Sequence, residues 1–159
     1  MTIHYLQMNS PNELVPSAAP AMPLEVRQVE IPLPALNQFL YQAVGGPWNW
    51  HERLAWTQDR WREYLNRPEL QTWLGYVRGT PVGYFELESQ PKGDVEIVYF
   101  GLLPDFTGKK LGGSFLTYAI ERAWRIPGTR RVWVHTCTED HPGALPNYQA
   151  RGFKLYNSV

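Results

Sequence analysis

One stretch, VEIVYFGLLPDFTGKKLGGSFLTYAIERAW at residues 95–124, limits what this chain can fold into more than any other. Residues 95–103 form an apolar run rich in β-branched and aromatic side chains, which predicts a strand buried on both faces. Pro104 and Asp105 end it. Residues 107–113 are a short loop bearing glycines and lysines, after which Leu111, Phe115, Leu116, Ala119, Ile120 and Ala123 recur at helical spacing. The unit is strand, glycine loop, helix. A helix starting there presents first-turn N–H groups that have no acceptor within the helix, at the positive end of its dipole. Gly108, Gly112 and Gly113 let a ligand approach the backbone, and Lys109 and Lys110 add positive charge. A phosphate-bearing ligand is the expected occupant.

The loop lacks the GxxxxGK[ST] order of a P-loop and the GxGxxG of a dinucleotide fold. Read alone, it fits equally a helix that starts on small residues for close packing. It does resemble the acyl-CoA loop of the GCN5-related N-acetyltransferase (GNAT) superfamily, Gln/Arg-x-x-Gly-x-Gly/Ala. Thr107, Lys110 and Gly112 align with its fixed positions, with Thr107 replacing Gln or Arg and Lys110 replacing the middle glycine. A second block, HPGALPNYQARGF, resembles the family pattern Asn-x-x-Ala-x-x-x-Tyr-x-x-x-Gly-Phe. There His141 stands for the Asn, while Ala144, Tyr148, Gly152 and Phe153 match. The order strand, loop, helix, strand, helix, Gly-Phe is more specific than either motif, and the resemblance covers about residues 73–156.

The resemblance implies an α/β (α+β) fold with a mixed, mostly antiparallel twisted sheet and helices on both faces. It also implies acetyl-CoA as cofactor, cradled by Thr107, Gly108, Lys109, Lys110, Leu111, Gly112, Gly113 and Ser114. In the family, the strand before the loop diverges from its neighbour and pairs with the pantetheine amides through its backbone. That role falls to Leu102 and Leu103, with Gly101 easing a bulge. His141 would contact the pantetheine arm.

Elsewhere the bounds are simple. A chain of 159 residues predicts one domain with a sizeable core. Lys plus Arg and Asp plus Glu both number 15, and this balance argues against nucleic acid or a membrane surface as partner. A lone Cys137 forms no internal disulfide and fits a reducing cytoplasm. No run of about 18 apolar residues is present to predict a membrane span, and residues 1–30 do not read as a signal peptide.

Residues 3–8 and 24–31 read as strands joined by a Pro-, Ala- and Ser-rich linker at about 9–23. Leu36, Phe39, Leu40 and Ala43 mark a helix ended by Gly45 and Gly46, with Gly45 near the C′ position. Thr57 is positioned to cap a second helix running to about Asn66. Residues 71–78 and 82–88 flank Gly79-Thr80-Pro81 as a hairpin.

Transfer of an acyl group from a thioester to an amine needs a neutral amine, a stabilised oxyanion and a proton for the departing thiolate. An alkylammonium loses its proton only near pH about 10, so a base is required. Glu96 is the leading base: it is the ionisable residue of an otherwise uncharged run, and burial would raise its pKa. With Asp94 just before it, Glu96 reads alternatively as a strand-end carboxylate in water. The resemblance supports the base, because many family members carry a Glu on this strand. Tyr148 matches the family tyrosine that protonates the leaving sulfur; its alternative is a packing role. His135 and Cys137 alternate along a strand as structural residues, and with His141 they lack a fourth partner for a metal site. Trp48 and Trp50 lie in a loop and are the candidates for lining an acceptor pocket, with His51 or Glu52 as a polar handle.

The function so implied is acetyl-CoA-dependent N-acetylation of a primary amine on a small molecule or peptide, in the cytoplasm, with a homodimer allowed for. A non-catalytic acyl-CoA-binding module of the same fold is the alternative, kept open by the altered Thr107 and Lys110 positions. Family domains normally continue after Gly-Phe with two strands, whereas residues 153–157 leave room for one. Residues 3–8 are therefore expected to fill the missing inner place, within the chain or from a second copy. A linker of about 15 residues reaches up to about 50 Å, enough for the former.

Overall fold

The computed structural model describes all residues from Met1 to Val159. Seven strands, β1 (Ile3–Met8), β2 (Glu25–Gln28), β3 (Leu70–Val77), β4 (Thr80–Ser89), β5 (Asp94–Leu102), β6 (Arg131–Cys137) and β7 (Lys154–Ser158), form one sheet. Their order is β2-β3-β4-β5-β6-β1-β7, and every neighbouring pair is antiparallel except β5–β6. Helices α1 (Pro34–Gly45) and α2 (Gln58–Leu65) pack on one face. Helices α3 (Gly112–Arg125) and α4 (Ala144–Ala150) pack on the other.

The period-two alternation of β4 explains the two layers. Phe85 and Leu87 face the α3 side and join the main core with Val95, Ile97, Phe115 and Leu116, while Tyr84 turns to α1. Strand β1 lies between β6 and β7 in the same chain, with Leu6 and Met8 fully buried under α3. Trp124 donates its indole N–H to the Met8 sulfur. Residues 9–23 return across α3 and α4. The Ser17 amide donates to Thr117 Oγ1 at 3.0 Å, Ser114 Oγ donates to the Ala18 carbonyl at 3.0 Å, and the Val15 amide donates to the Arg151 carbonyl at 2.9 Å.

Thr57 caps α2 by accepting from the Arg60 amide, and Gly152, at φ 106°, ends α4 as a left-handed C′ residue. Several details differ from the sequence expectation. Gly45 and Gly46 have φ of −91° and −53°, so α1 runs on into a 3-10 turn without a left-handed cap. Gly45 is instead required by packing, since a Cβ there would lie 2.2 Å from the Trp50 ring. The β3–β4 hairpin turns on two residues, Arg78 and Gly79 at φ 51° and 84°, leaving Thr80 and Pro81 to the strand. Strand β2 is shorter than expected. Strand β5 is deeply buried only at Val95, Glu96 and Ile97, because beyond them it parts from β6. The bulge falls at Val98, between the pairs Glu86–Tyr99 and Leu87–Ile97, and not at Gly101. Gly101 instead makes room for α1: a Cβ would meet Val44 Cγ1 at 2.4 Å.

An inner strand carries its neighbours' backbone hydrogen bonds, so removing residues 1–9 is expected to abolish cooperative thermal unfolding. Leu6→Ala is the milder test, with an expected loss of about 2–5 kcal/mol by denaturant titration. A truncated protein that melts as sharply and as high as the intact chain would show β1 to be dispensable.

Candidate active site

The site is built on a fork. Parallel pairing of β5 with β6 runs through Asp94–Arg131, Val95–Val132 and Glu96–Trp133 and then stops, so β5 is paired only with β4 from Ile97 onward. A cavity of about 280 Å³ opens there, lined by Phe100, Gly101 and Leu102 of β5, by the 107–113 loop, and by α4.

The loop has the conformation an anion cradle needs. Leu111 supplies no side-chain cap to α3, so the first-turn N–H groups lack partners within the helix. Gly108 is left-handed at φ 72°, with nothing within 4 Å of where a Cβ would stand. Lys110, at the family's middle glycine position, is also left-handed at φ 62°. Gly112 borders open space, a Cβ there coming no closer than 3.7 Å to Asn147 Nδ2. Gly113 is tied to the fold instead, because a Cβ would collide with Arg151 and Ser17.

Of the cradle residues expected from sequence, Leu102, Thr107, Gly108, Lys110, Leu111, Gly112 and Gly113 line the cavity, with His141, Trp48 and Trp50. Three do not. Leu103 spends its backbone internally: its N–H donates to the Val82 carbonyl and its carbonyl accepts from the Phe106 amide. The Ser114 hydroxyl is buried against Ala18, which leaves only its N–H toward the loop. Lys109 is exposed and stands off the cavity wall. Thr107 turns its hydroxyl inward to the Pro104 carbonyl at 2.8 Å.

Tyr148 stands where the cradle cavity meets a second one of about 110 Å³, and lines both. It is only 4 % exposed, its ring packs edge-on against Phe100 and Phe153, and its hydroxyl has no hydrogen-bond partner in the chain. Burial, reinforced by the Asp140 carboxylate, pushes its phenol well above the ordinary range, so the proton stays on oxygen.

Glu96 lies on the other side of the fork, in a groove of about 930 Å³ bounded by α2. It is 8 % exposed. Its Oε1 accepts from Gln90 Nε2 at 3.0 Å, and its Oε2 lies 3.4 Å from His135 Nδ1. The structure therefore does not bring Glu96 and Tyr148 to one wall. The second cavity joins the groove through Glu52, Val98, Tyr99 and His135, which line both.

The sequence reading missed several site residues. Asn147 donates to the Gly112 carbonyl at 3.1 Å and ties α4 to the cradle. Asp140 accepts from Thr136 Oγ1 at 2.7 Å and fixes the turn that carries His141. Arg53 and Tyr64 line the groove, and behind them Arg53 makes a buried ion pair with Glu86 at 3.0 Å, to which Tyr64 and Asn37 also donate. Only Asn147 had a sequence signal, its place beside Tyr148 on the short C-terminal helix. No helix is long and apolar enough to cross a membrane, and no group of His, Cys, Asp and Glu could hold a metal ion.

A model of the acetyltransferase (GNAT) family matches residues 36–153. No curated protein matches the chain in sequence. Among solved structures, a GCN5-related N-acetyltransferase from Kribbella flavida superposes with a TM-score of 0.71 at 19% identity, over 99% of this chain and 56% of its own. One from Sphaerobacter thermophilus gives 0.69 at 18%, over 99% and 49%. An aminoglycoside acetyltransferase from an uncultured soil metagenomic sample, in complex with trehalose, gives 0.65 at 14%, over 80% and 86%. The chain thus spans about half the length of the first two. At these identities the likeness is one of fold.

Gly112→Ala separates ligand approach from folding. It is expected to leave thermal stability unchanged while weakening coenzyme A binding about tenfold or more in calorimetry. Lys110→Gly should hold or raise the melting temperature by relieving a left-handed side chain, while affinity falls and loses part of its salt dependence. Unchanged affinity in both variants would remove the loop from ligand binding.

Proposed function

The chain belongs to the acetyltransferase (GNAT) family, and on that premise we propose that it transfers acetyl from acetyl-CoA to a primary amine of a small molecule or peptide. The amine attacks directly while both substrates are bound. The residues present fit such a ligand: unpaired amides at the start of α3, room at Gly108 and Gly112, and an apolar wall from Phe100 and Leu102. Bound acetyl-CoA would supply an acyl group activated as a thioester. The amides of residues 112–114 and the Lys110 charge would hold its phosphates, and the unpaired edge of β5 would hold the pantetheine arm.

One observation carries the reading. Tyr148 sets an unpartnered phenol at the junction of the cradle and the acceptor side, within reach of both, which places its O–H to donate a proton to the departing sulfur. Glu96 is the carboxylate through which the acceptor's proton is taken up. Trp48 and Trp50, with Tyr99, line the acceptor side and favour an apolar or aromatic amine. A cytoplasmic setting is part of the proposal, supported by the lone free thiol of Cys137.

A panel of amines assayed for thiol release from acetyl-CoA tests the activity. Tyr148→Phe should lower kcat about 100-fold with little change in coenzyme A affinity. Glu96→Gln should shift or remove the acidic limb of the pH–rate profile. Coenzyme A binding without thiol release from any amine would favour a binding module instead.

A further inference from the structure

We propose that His135, backed by Glu96, is the group that receives the proton of the acceptor amine, so that the base of this site is an imidazole–carboxylate pair. The inference rests on the transferase reading above.

The geometry of the fork carries it. Glu96 and Trp133 are the last pair between β5 and β6, and His135 is two residues further along β6, on the same face as Trp133. That register sets the imidazole at the opening of the fork, with Nδ1 3.4 Å from Glu96 Oε2. The carboxylate is held from behind, since Gln90 donates to its other oxygen and itself accepts from Trp133 Nε1 at 2.9 Å. Glu96 is nearly enclosed and borders only the groove. His135 borders the groove and also the small cavity that Tyr148 lines, and its side chain is 40 % exposed. Of the two, the imidazole alone reaches the cavity where the leaving group's acid stands. With Nδ1 turned to Glu96, Nε2 has no partner in the chain and is free to accept.

Charged and titratable groups face this ring from several elements. Glu96 comes from β5, Tyr5 from β1 with its ring 5.9 Å away, Glu52 from the loop after α1 and Asp140 from the turn after β6. The Glu96 carboxylate at 3.4 Å from Nδ1, and then the surrounding carboxylates, raise the His135 pKa against the opposing effect of burial. Glu96 thus stabilises the imidazolium formed and fixes the tautomer that accepts at Nε2.

The protons balance. The ammonium of the acceptor gives one to His135 Nε2, which later releases it to solvent. The neutral nitrogen forms the new C–N bond as the C–S bond breaks, and Tyr148 O–H protonates the sulfur. The nitrogen's second proton returns to the Tyr148 oxygen, and its third stays on the amide.

The sign of the pH effect follows. A base must be neutral, so activity rises with pH through the raised His135 pKa. Removing the Glu96 charge lowers that pKa and moves the limb to lower pH. The test combines an NMR titration of the His135 ring in the unliganded protein with pH–rate profiles of wild type, Glu96→Gln and His135→Gln. The wild-type midpoint by NMR should coincide with the kinetic limb, and both should move down together in Glu96→Gln. His135→Gln should lose the limb and about 100-fold in kcat, with its circular dichroism unchanged. A His135→Gln enzyme with the wild-type profile overturns the proposal and leaves the transferase reading standing. So does a Glu96→Gln protein in which the His135 midpoint stays put or parts from the limb. A wild type that releases no thiol with any amine of the panel overturns both.

Discussion

Parallel strands β5 and β6 stay paired for only three residues, and most of what this molecule can do depends on their separation. An unpaired strand edge inside a sheet is costly, because buried N–H and C=O groups lose their partners. The bulge at Val98 turns the strand as it parts, so that Tyr99 faces α1 and Phe100 faces α3. Tyr148 closes the fork from below and Trp50 from above. What remains is a passage with a cradle at one end and a groove at the other. A ligand that offers amides to the free edge of β5 and phosphates to the start of α3 would satisfy both sets of orphan groups.

The fork in turn needs β6 held firmly on its far side, and the start of the chain does this. Strand β1 pairs with β6 along its full length, from Ile3–Cys137 to Met8–Val132, and then with β7. The segment that follows crosses the first two turns of α3, where Ser17 and Ala18 engage Thr117 and Ser114. One buried strand and its strap thus stabilise the sheet and fix the helix end that forms the cradle. The position of Gly113 shows how tight this is, since any side chain there would displace Ser17 or Arg151.

The elements along the chain were legible in the sequence because each has a local cause. Residues 95–124 carry a strand, a turn and a helical stripe in succession, and Gly152 marks the end of α4 whatever surrounds it. Boundaries set by local chemistry, such as the Thr57 cap, were also legible. Contacts made across the fold were not. The pairing of Glu96 with His135 depends on how far β5 and β6 run together, which no spacing encodes. The backbone of Leu103 was committed to Val82 and Phe106 by a hairpin register that its own segment does not reveal. Gly101 and Gly45 read as bulge and cap, yet their reason is the close approach of Val44 and Trp50 from elsewhere.

The Arg53–Glu86 pair shows the same point most fully. Glu86 is 0 % exposed in the middle of β4, and Arg53 is 5 % exposed in a loop that sequence reading treated as an acceptor wall. Glu86 accepts from Arg53, Tyr64 and Asn37, so its charge is fully partnered. Removing the arginine alone would leave a carboxylate buried and unpaired, at a cost of about 3–5 kcal/mol. The guanidinium also lies 4.5 Å from the centre of the Tyr99 ring, which packs at 4.7 Å against Trp50. Tyr99 then donates its hydroxyl to Glu52 at the mouth of the groove. A buried charge pair between sheet and helices thereby sets the aromatic wall of the fork from the core side. Its own charges cancel, and Glu52, His135 and Glu96 are left among the titratable groups that line the groove.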